Sequence, residues 1–121
     1  MRVLVVDDDT MMLSAITKKL EDNKIEVIST TDAVEGLKIL SDEKIDLIIS
    51  DIIMPCISGF TFLTMLRNFY YSKVPLILIS GYNQQSILQN AYNLGASYFI
   101  SKPIDYEQLL IKVEEFTSDT A

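Results

Sequence analysis

The chain has 121 residues, 49% of them apolar, and a formal net charge of −7 with no histidine and one cysteine. That length and apolar share give one domain with a real core and exclude a disordered chain. The acidity argues against direct contact with nucleic acid, and no apolar run approaches the roughly 18 residues a membrane helix needs.

The elements alternate along the chain. Val3–Val6 is an apolar run of strand length, and Arg2 leads straight into it, so no secretory leader is expected. Asp9 or Thr10 can cap the helix that Met12, Ala15, Ile16, Lys19 and Leu20 mark by their spacing. Ile25–Ile28 is the second run, followed by Asp32 as a cap and a helix marked by Ala33, Val34, Leu37 and Leu40. Ile45–Ile49 is the third, with Phe60, Leu63, Met65 and Leu66 at helical spacing behind it. Leu76–Ile79 precedes a helix marked by Ile87, Leu88, Ala91 and Leu94, which Gly95 can close. Tyr98–Ile100 precedes Asp105 as a cap and a last helix marked by Leu109, Leu110, Val113 and Phe116. The core is expected to end near residue 116, and the polar tail Thr117–Ala121 to fray.

Five strand–helix units in alternation predict an α/β sandwich of three layers, with right-handed crossovers. Strands apolar on both faces predict a parallel sheet buried on both sides. In such a sheet the C-terminal strand ends line the crevice where ligands bind. Asp7 and Asp8 follow the first run, Asp51 the third, Ser80 the fourth and Lys102 the last. Three carboxylates, a hydroxyl and an ammonium group at one edge suit a divalent cation and a phosphoryl group. Taken singly, each has a plainer reading: an N-cap cluster at Asp7–Asp9, a turn before Pro55 at Asp51, a loop hydroxyl, a solvated lysine. Clustered carboxylates without a counter-charge repel one another, and that repulsion tips the balance towards a site.

In this order the motifs resemble the response-regulator receiver domains of two-component signalling. They are Val5-Val6-Asp7-Asp8-Asp9; Asp46-Leu47-Ile48-Ile49-Ser50-Asp51-Ile52-Ile53-Met54-Pro55 with Ser58-Gly59-Phe60; Ser80-Gly81; and Gly95-Ala96 leading to Lys102-Pro103. The resemblance runs from Met1 to about Phe116, and 1–121 would form a single receiver domain. It implies a flavodoxin-like fold with a five-stranded parallel sheet of order 2-1-3-4-5, which alternation alone does not supply.

The resemblance also implies roles. Asp51 would be the phosphoacceptor. Mg²⁺ (or Mn²⁺) would be bound by Asp8, Asp51 and the backbone carbonyl of Ile53, with Asp7 acting through water and by holding Lys102. Lys102 would contact a phosphoryl oxygen, and the Lys102–Pro103 bond would be cis. Ser80 and Phe99 would be the switch, with Tyr98 on the opposite face of the strand. Ile53 and Tyr82 would border the path of an attacking water, and Gly81 would leave the phosphoryl pocket open. The chain would be a regulatory phosphoacceptor rather than an enzyme acting on another substrate. Its partners would be a sensor histidine kinase or a histidine phosphotransfer protein, and an output domain or downstream protein. It would be cytoplasmic, as the lone Cys56 also suggests, and a monomer or weak dimer.

Other readings fit less well. A flavin-binding protein of the same architecture would want a Ser/Thr/Gly-rich phosphate loop where Asp7-Asp8-Asp9 stands. A phosphatase of the haloacid-dehalogenase type would want a second aspartate that Asp51-Ile52-Ile53 lacks. A scaffold that is never phosphorylated has no need for all five site residues. Met11 and Met12 suit a docking surface or inward packing equally. The segment Asn83–Asn93 is rich in amides and carries no charge, which argues against dimerisation locked by salt bridges on that helix.

Overall fold

The computed structural model describes residues 1–70 and 72–117. The elements are β1 (Arg2–Val6), α1 (Thr10–Glu21), β2 (Glu26–Thr30), α2 (Ala33–Asp42), β3 (Leu47–Asp51), α3 (Gly59–Asn68), β4 (Leu76–Ser80), α4 (Gln85–Asn93), β5 (Tyr98–Ser101) and α5 (Tyr106–Thr117). The strands form one parallel sheet of order β2-β1-β3-β4-β5. This is the flavodoxin-like arrangement expected from the motifs.

Strand alternation splits the core into two. Val3, Val5, Leu47, Ile49, Ile77 and Ile79 pack with Leu13, Ile16 and Leu20 of α1 and Leu109, Leu110 and Val113 of α5. Leu4, Val6, Ile48, Leu76 and Leu78 pack on the other face with Leu37 of α2, Phe62, Leu63 and Leu66 of α3 and Ala91 of α4. A strand covered on both sides needs apolar residues at successive positions, which is why these runs do not alternate with polar ones. Among the described residues, no helix is long and apolar enough to cross a membrane.

Three helices begin as the side chains dictate. Asp9 accepts from the amides of Met11 (3.0 Å) and Met12 (3.2 Å), and Asp32 from that of Val34 (2.9 Å). Asp105 accepts from Glu107 (3.1 Å) and Gln108 (3.2 Å). Gly95, with φ +107°, follows α4 as the residue that closes it.

Details differ from the sequence reading. Val34 is exposed, whereas Leu13 faces the core; Val34 lies in the open first turn, and the inward stripe of α1 is Leu13-Ile16-Leu20. Strand β2 extends to Ser29 and Thr30, because pairing with β1 continues although the residues are polar. Strand β3 begins only at Leu47, since Asp46 is held to Arg2: its carboxylate accepts the Arg2 amide at 2.8 Å. Thr117 is no part of a fraying tail. It ends α5, is buried, and its hydroxyl donates to the Val113 carbonyl at 2.6 Å. The rest of the expected tail, 118–121, lies outside the described residues.

Candidate functional site

The C-terminal strand ends bring Asp7, Asp8, Asp51, Ser80 and Lys102 to one edge. Asp51 is the last residue of β3 and only 5% exposed. Its Oδ2 accepts a hydrogen bond from Lys102 Nζ at 3.0 Å, while Oδ1 faces the Ile53 amide at 3.4 Å. Carboxylate oxygens of Asp7, Asp8 and Asp51 lie within 4.8 Å of one another. Asp8 is exposed, whereas Asp7 is 1% exposed.

Asp7 is the strained member of the group. Its Oδ1 accepts from the Asp9 amide at 2.9 Å, but its buried Oδ2 has no partner. Burial pushes its pKa up from 3.8 to about 6; the Asp9 N–H opposes this, and the charge of Asp51 adds to it. For Lys102, burial alone would lower the pKa, but the hydrogen bond and charge of Asp51, with Asp7 and Asp9, outweigh it and raise it. Lys102 thus pairs with Asp51. Asp7 acts on Lys102 through its charge rather than through a hydrogen bond, and its Oδ2 is left without a partner. An orphaned buried carboxylate oxygen beside two further carboxylates fits a hard cation that takes oxygen ligands.

Ser80 ends β4 and is 1% exposed. Its Oγ accepts from the Tyr82 amide at 3.0 Å, and its carbonyl accepts from the Lys102 amide at 2.9 Å. The hydroxyl proton thus remains to be donated to an oxygen placed on Asp51. The cleft above these residues holds about 520 Å³ and is lined also by Asp9, Ile53, Gly81 and Tyr82. Asp9 belongs to the site wall as well as to the α1 cap, a second role that its place in the acidic triplet did not reveal. Ile53 and Tyr82 stand at the mouth, 54% and 53% exposed. A Cβ at Gly81 would meet nothing within 4 Å.

Gly59 fixes the floor. It opens α3, and its amide donates to the Ile52 carbonyl at 2.7 Å. A Cβ there would lie 2.2 Å from the Asp51 carbonyl oxygen. Only a residue without a side chain lets the helix start so close to β3.

Phe99 and Tyr98 point to opposite faces: Phe99 into the core of α2, α3 and α4, Tyr98 beneath Lys112 of α5, whose Nζ stands 4.4 Å from the ring centre. Phe99 is already 8% exposed, so an inward swing of this ring has little distance left to cover. The Lys102–Pro103 peptide bond is cis. Met11 is exposed, and Met12 packs against the α1–α5 core. Cys56 is an exposed free thiol in the loop between β3 and α3.

The family model of the response regulator receiver domain matches residues 3–114. The chain is 34% identical over 109 residues to the probable transcriptional regulator ycf29 of Porphyra purpurea, covering 89% of this chain and 52% of that protein. Among solved structures, the receiver domain of the Francisella response regulator 1452 superposes with a TM-score of 0.90 at 28% identity, over 95% of this chain and 94% of that one. A CheY-like receiver domain protein from Methanospirillum hungatei superposes with a TM-score of 0.86 at 32% identity, over 94% and 90%. The chain spans about half the length of the curated relatives it matches, 52% to 55%.

Proposed function

Because the chain belongs to the response regulator receiver domain family, we propose that it is a signalling switch whose phosphoacceptor is Asp51. The observation that carries this reading is a buried Asp51 carboxylate, paired with Lys102 at 3.0 Å, facing an open cleft beside two further carboxylates.

The donor would be a phosphohistidine of a sensor kinase or phosphotransfer protein. Asp51 Oδ1, free of Lys102, forms the new O–P bond as the P–N bond to imidazole breaks, and the imidazole nitrogen keeps that electron pair and takes a proton from solvent. Lys102 follows the charge from the carboxylate to a phosphoryl oxygen, where it steadies the transition state. Asp8, Asp51 and the Ile53 carbonyl would hold Mg²⁺ (or Mn²⁺), with Asp7 bound through water; the ion supplies charge neutralisation between acceptor and donor. No general base is needed, so the lack of histidine is no obstacle. The Ser80 hydroxyl then donates to the phosphoryl group and draws the loop before α4 inward, with Phe99 settling deeper beneath it. The output would be an attached domain or a downstream protein. The exposed Cys56 thiol and a phosphohistidine donor both suit the cytoplasm.

Two results are expected. Mg²⁺ at ten times its dissociation constant stabilises the protein by about 1.4 kcal/mol, and Asp8→Ala loses most of that gain. Equal responses of both proteins in a melting experiment would place the ion elsewhere. Acetyl phosphate with Mg²⁺ adds one phosphoryl group, which decays slowly because bulky Ile53 and Tyr82 border the water's path and Ile53 has no group to orient it. The double variant Ile53→Asn, Tyr82→Glu should lose the label faster at fixed Mg²⁺. Equal or slower loss would show that these residues do not shield the site.

A further inference from the structure

Helix α4 is held unevenly. The residue before its first turn, Gln84, offers no side-chain cap, and Tyr82–Ser86 are exposed. Of the helix only Ala91 is fully buried. No charged residue occurs from Val74 to Ser101, so no ion pair can hold the helix through its own side chains.

The other end is fastened. The Gly95 amide donates to the Tyr92 carbonyl (3.1 Å) and the Ala96 amide to the Ala91 carbonyl (3.0 Å), the paired bonds of a Schellman turn. Upon this turn lies Arg67 of α3. Its Nε (3.2 Å) and Nη2 (3.0 Å) both donate to the Gly95 carbonyl, and Nη1 donates to the Ser72 carbonyl at 3.0 Å. Among the described residues no acid pairs with it, and burial pulls its pKa down. A cation at a helix C-terminus meets the negative end of the helix dipole, and a rigid guanidinium fork can serve two loops at once. A Cβ at Gly95 would stand 3.1 Å from Arg67 Cγ, so glycine and arginine fit one another. The far end of α3 is Gly59, seated on the Asp51 backbone. One helix thus joins the acceptor strand to the fastening of α4.

We propose that Arg67 is a positioning residue, the fixed pivot of α4: it pins the C-terminal end of that helix to α3, while the first turn, joined to Ser80 through Gly81–Gln84, is left to swing. What drives the swing rests on the switch reading above; the pivot itself does not.

The test is amide hydrogen exchange by NMR on the metal-free full chain, comparing the protein with Arg67→Met, which keeps the apolar stem and removes every donor. Exchange at Leu94, Gly95 and Ala96 should rise about tenfold while Leu47–Asp51 is unchanged. Should the methionine variant not fold, Arg67→Lys, which lacks the fork, should give a smaller rise at the same amides. Unchanged exchange there, or an equal rise in β3, would overturn the pivot. With beryllium trifluoride as phosphoryl mimic, shift changes in the unaltered protein should fade from Gln85 towards Gly95; changes as large at Gly95 as at Gln85 would also overturn it. A complete lack of response to the mimic would count against the switch reading alone, since the exchange result is obtained without it.

Discussion

Gly59→Ala should destabilise the protein by about 3 kcal/mol, a fall of roughly 10 °C in melting temperature, and impair phosphoryl acceptance as well. The added methyl would stand 2.2 Å from the Asp51 carbonyl oxygen and 2.8 Å from Ile52 Cα. Both are backbone atoms and cannot turn aside as a side chain would. The start of α3 must therefore back away, which breaks the 2.7 Å bond from the Gly59 amide to Ile52 and loosens the peptide next to Asp51. Gly36→Ala supplies the control. It lies within α2, and a Cβ there meets Val6 Cγ2 at 3.4 Å and Phe62 Cζ at 3.5 Å, close to ordinary contact. Removing a glycine from a helix interior should then stabilise by about 0.5 kcal/mol. Thermal melts of the two variants should move in opposite directions. If Gly59→Ala melts with the unaltered protein, α3 is not seated on Asp51 as described.

Asp7→Asn should have the second largest effect, and of opposite sign. The Asp7 carboxyl has its pKa raised to about 6 in the folded protein, above its ordinary 3.8. The folded state thus binds that proton more tightly than the unfolded state does. As pH rises from about 4 through 6, ionising Asp7 costs stability, and the full cost stands above that window. An asparagine keeps an oxygen for the Asp9 amide and removes the buried charge. In chelator at pH 7.5 the variant should be more stable by about 2 kcal/mol, the difference shrinking towards pH 4.5. With Mg²⁺ the unaltered protein should recover ground, because the charge then has a partner. Lower stability of Asp7→Asn in chelator at pH 7.5 would mean that Asp7 is well paired without metal.

Much of this was legible because the parallel sheet writes itself into the chain. Five apolar runs, each ending in a polar residue, mark both the strands and the crevice edge, whereas the strand order came only with the family resemblance. What stayed hidden depends on who meets whom in space. The hydrogen bond of Lys102 to Asp51 is decided by where β5 sits beside β4, with β3 and β4 between it and β1. Ser29 and Thr30 lie past the apolar run Ile25–Ile28 but are strand residues, since backbone pairing with β1 does not consult their side chains. Val34 has an apolar side chain at helical spacing yet faces solvent, because spacing gives a period and leaves the phase open by a residue. Arg67 gave no signal at all: its acceptors are the carbonyls of Ser72 and Gly95, and carbonyls have no letter in a sequence.

The proposed phosphoryl acceptance falls on one carboxylate. Incubation with acetyl phosphate and Mg²⁺, followed by intact mass measurement, should show the unaltered protein gaining one phosphoryl group. Asp51→Asn, with a melting temperature close to that of the unaltered protein, should gain none. Full labelling of the asparagine variant would contradict the assignment of Asp51 as the acceptor.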